Sequence, residues 1–535
     1  MNKKNVFIAI ILFVAVGFFL RSYNFSEWLR FNADQARDAR LAINVSEGRE
    51  PIPLLGPWAG GTSFKLGGVF YYFQIASVKI FGSHPQVAAY PDLLFAILSI
   101  PLLFLFAKIF FNSRISLMVV WLYVISYFAV KYSRFAWNPN STPFFVMLYL
   151  YSLHGLMGSE KSKKILWAIL CGIALGISMQ LHTSLLIILP VVSIVAATIL
   201  FKKKQIGFSI MAIILAAALF VNTAQIISEI KTGGVNSLQL ILGATEKNQR
   251  NASFGENLLL NISCHIKSNG HIISALGDEE ECGYRGDIKT VNKLDGKRMT
   301  IFEKVSFVAV WIFFAIFSFG GYFLLGRSAK KEKEQKKKDM LIILSVYVGI
   351  SFLFFVAWAT ELSVRFFLGL SFIPFFLAGF WVSFLSKKFR KEILVILIAV
   401  LVLSFFNFQK IYGTFKDLKN GGREINGDFD YATLGEENFI VEFLQNNSQD
   451  QKTLVLDAQA GYLFKMLRPL QFLSEKYALN LIELREEVKL ESGDNIFYIK
   501  SADTGCDLPA KTLKKYEIEK CVSHGQFSIF SLRVK

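Results

Sequence analysis

The sequence predicts a polytopic α-helical membrane protein with about 11–13 spans, a large first external loop and a small C-terminal extracytoplasmic α/β domain. Three observations predict it. The mean hydropathy is +0.42 and 53% of the 535 residues are hydrophobic, more apolar than soluble chains of this length. The apolar residues gather in blocks of bilayer-spanning length, about 20 residues each. Basic clusters separate the blocks. The 53 phenylalanines suit lipid-facing and tightly packed interhelical surfaces.

The first block, Phe7 to Leu20, follows Lys3 and Lys4 and runs into Arg21 without a small-residue cleavage site, so a retained span is expected over a cleaved signal. Further blocks lie near residues 67–82, 92–110, 115–130, 142–157, 165–182, 184–200, 206–222, 303–326, 340–358, 366–385 and 392–411. The net charge of +17 is not a nucleic-acid signal. Its lysines and arginines sit in short connections: Lys163 and Lys164, Lys202 to Lys204, Arg327 to Lys338, and Lys387 to Lys391. That pattern puts those loops and the N-terminus in the cytoplasm and the C-terminal part outside, in the plasma membrane. This sidedness needs an odd number of crossings, whereas the blocks number twelve. The weakest of them is 67–82, short and opened by Gly67 and Gly68.

A transmembrane module over residues 1–411, with external loops at 21–66 and 223–302, is expected to precede the external α/β domain at 412–535. In that domain helices are expected over 437–444 and 462–473, and strands over 453–456, 495–499 and 527–534. Cys264 with Cys282, and Cys506 with Cys521, fall in the two external segments, where disulfides persist and structural zinc is disfavoured. Cys171 lies inside a span. No P-loop, GxGxxG or HExxH occurs, which weighs against ATP-driven transport and zinc protease chemistry.

The first loop holds the densest chemistry. On a helix, Asp34 and Asp38 share one face, with Arg30 and Arg37 in reach of Asp34. Spacing alone leaves two readings open. One is a salt-bridged amphipathic helix on the membrane surface; the other is a carboxylate base held at the bilayer boundary with arginines managing phosphate charge.

The motifs along the first 375 residues resemble the polytopic glycosyltransferases of the GT-C superfamily, which include the aminoarabinose transferases of lipid A, the protein O-mannosyltransferases and the Rhizobium lipopolysaccharide sugar transferases. Asn32, Ala33, Asp34, Gln35 and Ala36 match the acidic motif of their first external loop, so the resemblance assigns the catalytic base to Asp34. Gln35 stands where the family commonly has a second acid, which counts against a metal held by an acidic pair. Leu55 to Pro57 with Leu66 to Tyr72, Tyr132 to Arg134 with Asn138 and Pro139, Gln180 to Thr183, and Arg365 to Phe367 with Pro374 resemble later family motifs.

The resemblance implies an integral membrane enzyme moving a hexosyl or pentosyl group from a polyprenyl-phosphate carrier to an envelope glycan, lipid or protein by inverting displacement. Asp34 would take the acceptor proton, and Arg365, then Arg134, would meet the carrier phosphate. Lys131, His182 and Asp38 complete the candidate substrate-binding set. Each keeps a plainer reading: Arg134 and Lys131 as span-end anchors, His182 as a packed histidine, Arg365 as the partner of Glu361. No cofactor is specified; a divalent cation could assist at the phosphate, but no ligand set stands out. The alternative functions are a transporter or flippase for lipid-linked sugars, and a non-enzymatic envelope scaffold.

Overall fold

The computed structural model describes residues 2–535 apart from 61, 159, 248–252, 278–300, 358, 360–361, 421–423, 426–427, 430, 450, 460 and 486. Helix α1 (Lys3–Ser22) is capped by Asn2, whose side chain accepts from Lys4 N. Near its far end Arg21 is fully buried. The guanidinium donates to Val124 O (2.9 Å), Tyr123 O (3.2 Å) and Gly17 O (3.3 Å), which binds α1 to the end of α5 (Ser113–Ile125). A buried cation is tolerated there because carbonyls at helix ends lack intrahelical donors.

Seven helices among the described residues are long and apolar enough to cross a bilayer, or up to nine if each of two bent pairs makes one span. The seven are α1, α4 (Tyr90–Ala107, extended by the turn from Pro85), α8 (Lys161–Leu181), α9 (Thr183–Lys202), α14 (Ile301–Lys331), α15 (Gln335–Val356) and α17 (Glu392–Asn420). The bent pairs are α10 (Phe208–Val221) with α11 (Thr223–Thr232), at 66°, and the 3-10 turn Val364–Leu370 with α16 (Ile373–Phe389), at 68°. Shorter helices accompany these: α5, continued by α6 (Tyr127–Lys131), and α7 (Thr142–Leu156). By length and composition the described residues thus offer seven to nine spans.

The block at 67–82 is not among them. It forms α3 (Val69–Phe81), 13 residues and about 20 Å long, against a hydrocarbon core of about 30 Å. Both its ends are tied to α2 (Ala33–Ser46) and the residue that follows it: Tyr71 Oη donates to Asp38 (3.1 Å), and Ser83 Oγ, just past α3, donates to Glu47 (2.7 Å). Helix α3 is therefore packed along α2 and is too short for a straight crossing. The apolar run arises because one face of α3, with Tyr71, Ile75 and Val78, is buried against its neighbours.

The segment expected as a polar external loop also differs. After α12 (Val235–Lys247), helix α13 (Phe254–Ser274) sinks between α14, α15, α16 and α17. Its polar side chains are paired across helices: Asn261 Nδ2 donates to Phe352 O (2.8 Å), and Asn269 Nδ2 to Tyr322 Oη (2.9 Å). Ser126 Oγ and Asn407 Nδ2 donate to Ile272 O and Ile273 O near its end. An apolar interior admits such groups when they find partners.

The C-terminal region builds a five-stranded sheet in the order β6-β5-β7-β9-β8, beyond two short hairpins, β1 (Leu55–Trp58) with β2 (Lys65–Gly67) and β3 (Glu424–Ile425) with β4 (Asp428–Phe429). Strand β5 (Thr453–Ala458) is parallel to β6 (Asn480–Glu483) and β7 (Asn495–Ser501), while β9 (Phe527–Val534) is antiparallel to β7 and β8 (Tyr516–His524). Helices α18 (Leu434–Asn446) and α19 (Tyr462–Ser474) supply Ile440, Val441, Met466 and Leu470 to the core, with Leu454, Leu456, Phe497 and Ile529 from the sheet. Cys506 and Cys521 form a disulfide with Cα atoms 5.9 Å apart. Of the other expected pair, Cys282 lies outside the described residues.

Candidate active site

Helix α2 begins at Asn32, and Asp34 stands in its first turn, where the helix dipole favours a carboxylate. The Asp34 side chain is 67% exposed and paired with Arg37 Nη1 at 2.9 Å. Arg37 is held from behind by Asp38, which is 4% exposed and accepts from Arg37 Nε (2.8 Å), Arg37 Nη2 (2.8 Å) and Tyr71 Oη (3.1 Å). Burial pushes the Asp38 carboxyl up to about 6, against the opposing pull of Arg37. The two acids therefore differ in kind: Asp34 is presented to solvent, and Asp38 anchors the arginine that orients it.

Gln35 has structural work in place of the missing second acid. Its Oε1 accepts the N–H of Asn32 (3.1 Å), capping α2, and its Nε2 donates to Ala136 O (2.9 Å). This ties α2 to the turn between α6 and α7. That turn is fixed a second time by Asp92 at the start of α4, which is 2% exposed and accepts from Trp137 N (3.0 Å) and Ser141 Oγ (2.5 Å). Asp92 was not singled out from sequence, because a lone acid at the edge of an apolar block has no periodic signature.

From the turn, Asn138 Nδ2 donates to Leu181 O (2.7 Å), at the break between α8 and α9. One residue earlier Gln180 accepts from Val69 N (3.2 Å) and donates to Val221 O (3.0 Å), so it joins α3 to α10. A Cβ on Gly67 would run into the Gln180 amide, which explains a glycine there. His182 caps α9, its Nδ1 accepting from Ser184 N (3.2 Å). The imidazole lies edge-on to Phe366, with ring centroids 6.4 Å apart. Next to Phe366, Arg365 is exposed; its guanidinium lies 5.6 Å above the Phe366 ring and makes no hydrogen bond or ion pair to the described residues. Glu361, its expected alternative partner, lies outside the described residues. Asp34, Asp38, His182 and Arg365 thus belong to one connected end of the bundle.

Arg134 is placed differently from the phosphate-binding expectation. It is 7% exposed and donates to Leu20 O (3.2 Å), Arg21 O (3.0 Å) and Tyr23 O (2.8 Å), closing the end of α1. Burial lowers its pKa to about 10, which leaves it charged at neutral pH. With its donors spent on carbonyls, the guanidinium matches the span-end anchor reading. Lys131 lies on α6 with its Nζ 5.8 Å from the Tyr132 ring. Among the described residues no group of three or more His, Cys, Asp or Glu is placed to hold a metal ion.

The segment that enters α18 docks on the segment that leads into α2. Phe31 N donates to Ala432 O (3.2 Å), Leu434 N to Leu29 O (2.9 Å), and Gly435 N to Glu27 O (3.1 Å). Glu475, just past α19, pairs with Arg40 (2.5 Å), and α19 packs Phe472 against Phe31, with ring centroids 6.0 Å apart. The α2 helix is thereby held between the bundle and the sheet.

The family described as dolichyl-phosphate-mannose-protein mannosyltransferase matches residues 67–226 of this chain. No curated protein matches the sequence. Among solved structures, the apo oligosaccharyltransferase of Archaeoglobus fulgidus aligns with a TM-score of 0.50 and 11% identity, over 91% of this chain and 65% of that one. The same enzyme, tethered through a disulfide to an acceptor peptide containing the NVT sequon, aligns at 0.50 and 12% identity, over 90% and 64%. ArnT from Cupriavidus metallidurans bound to undecaprenyl phosphate aligns at 0.49 and 11% identity, over 98% and 97%. The chain spans about two thirds of the archaeal enzyme's length. These structural likenesses are of fold, and with the family match they bear out the resemblance to the GT-C glycosyltransferases.

Proposed function

We propose that this protein is an integral membrane glycosyltransferase that moves a sugar from a polyprenyl-phosphate carrier to an acceptor hydroxyl on the side of the membrane where α2 lies. The observation that carries this reading is convergence. Segments around residues 34, 136, 182 and 365, far apart in sequence, meet at one bundle end through Gln35, Asn138 and the His182–Phe366 contact. They bring an exposed carboxylate and an exposed guanidinium to the same end of the bundle, the two charges that a displacement at a sugar phosphate requires.

In the reaction, Asp34 removes the acceptor hydroxyl proton as that oxygen bonds to the anomeric carbon. The bond from this carbon to the carrier phosphate breaks, and the phosphate leaves with the electron pair. Arg365 neutralises the charge that develops on it. One displacement inverts the anomeric centre, and no second carboxylate nucleophile is needed. Asp38 holds Arg37, and Arg37 in turn holds Asp34. The proposal places the sheet beside the acceptor path, and it assigns the donor to the lateral lipid phase.

The test uses purified protein in lipid, wild type beside Asp34→Asn, with a panel of radiolabelled polyprenyl-phosphate sugars and envelope acceptors. The expected result is turnover of one donor by wild type and a loss of at least about a hundredfold in Asp34→Asn. Equal activity of the two proteins, or none with any donor, overturns the reading.

A further inference from the structure

At the opposite end of the bundle a cleft opens between the start of α8, the end of α9 and the start of α10. Helix α9 begins at His182 and reaches Lys202 twenty residues on, so the cleft lies about 30 Å from the candidate active site. Its volume is about 710 Å³, and its walls carry Lys164, Lys202, Lys204 and Gln205 beside Phe201 and Phe208. No carboxylate among the described residues lines it. Between the two outer lysines, Lys203 is already paired with the buried Asp339, which fixes the end of α9 to α15. The Lys202 and Lys204 side chains make no hydrogen bond or ion pair to the described residues. Lys164 Nζ donates to Gln205 O (2.7 Å), which sets a third cation at the rim. Gln205 Oε1 is buried in this wall without a donor. Phe208 is 76% exposed and faces the surroundings of the bundle.

We propose that this cleft binds one anionic glycerophospholipid. The phosphodiester lies between Lys202 and Lys204, and the acyl chains run along Phe201 and Phe208. Basic pockets between spans select anionic lipids because the apolar wall holds the chains while the cations meet the phosphate. The shared edge of charge and exposed aromatic surface favours a lipid over a soluble anion.

Gly207 supplies a clean plug. It has ordinary backbone angles at the N-cap of α10 (φ −113°), and a Cβ there meets nothing within 4 Å. Wild type, Gly207→Phe and the pair Lys202→Gln with Lys204→Gln are titrated with dioctanoyl phosphatidylglycerol or dioctanoyl phosphatidylcholine, and bound lipid is counted by native mass spectrometry. The expected result is one phosphatidylglycerol retained by wild type, bound on the order of thirtyfold more weakly by the lysine pair and lost from Gly207→Phe. Glycerol phosphate does not displace it. Equal binding of the two lipids, an unaffected Gly207→Phe, or displacement by glycerol phosphate overturns the proposal, the last in favour of a free phosphate site.

Discussion

Asp38 links stability to pH in a direction opposite to most carboxylates. Its pKa stands at about 6 in the folded protein against an ordinary 3.8, because burial outweighs the attraction of Arg37. Between those two values the folded chain binds a proton that the unfolded chain has released. Stability therefore falls as pH rises from about 4 to 6. The gap amounts to about 3 kcal/mol, at 1.36 kcal/mol for each tenfold change. Asp38→Asn keeps the acceptor for Tyr71 Oη and cannot ionise. Thermal unfolding of both proteins is followed in detergent from pH 4 to 7, and the difference between their stabilities is plotted. That difference moves by about 3 kcal/mol in favour of the variant as pH rises. Subtraction removes groups that both proteins share, including buried Glu437, whose pKa burial and the neighbouring Glu436 also raise. A difference that stays flat with pH refutes the account of Asp38.

Arg365→Gln is expected to lower kcat/KM about a hundredfold at an unchanged thermal midpoint, with Arg365→Lys retaining part of the activity. Steady-state transfer assays read this directly. Arg134→Ala leaves three carbonyls at the end of α1 without a donor and is expected to cost about 3 kcal/mol, seen as a lower midpoint. A loss of donor affinity at normal stability would instead return Arg134 to the phosphate. Gly67→Ala pushes the Gln180 amide away from Val69 N, and about 1–3 kcal/mol of stability should go with it. Unchanged unfolding would show that Gln180 has another low-energy position.

Hydropathy made most of the bundle legible because a span must be apolar for its whole length. It failed at α3, where a helix lying along α2 buries one aromatic face and copies a short span in composition. Hydropathy failed in the other direction at α13, whose asparagines look solvated in sequence but are bonded across helices. The α19 helix and strands β5, β7 and β9 were legible from their apolar runs, whereas β8 was not, since its residues are mostly exposed at the sheet edge and its register shifts between Ile518 and Lys520. In the site, Asp34, Asp38 and Arg37 could be read as neighbours from helical spacing. The division between a presented and a buried acid could not, because it depends on Tyr71 arriving from α3. Arg134 and Asp92 needed the tertiary structure, since their partners are about 110 and 45 residues away.

The backbone contacts that seat residues 27–31 come from residues 432–435, about four hundred positions later. A ribosome releases the first loop long before it makes those partners. Every described span of the bundle is synthesised before the residues that enter α18 can meet that loop. Until then α2 has only its attachments to the bundle, and the ordering of its lead-in segment waits on the closure of a loop of about four hundred residues. A chain stalled within the spans would carry Asp34 and Arg37 but lack the contacts that fix the segment before them. The seating of the segment before α2 is thereby tied to residues synthesised about four hundred positions later.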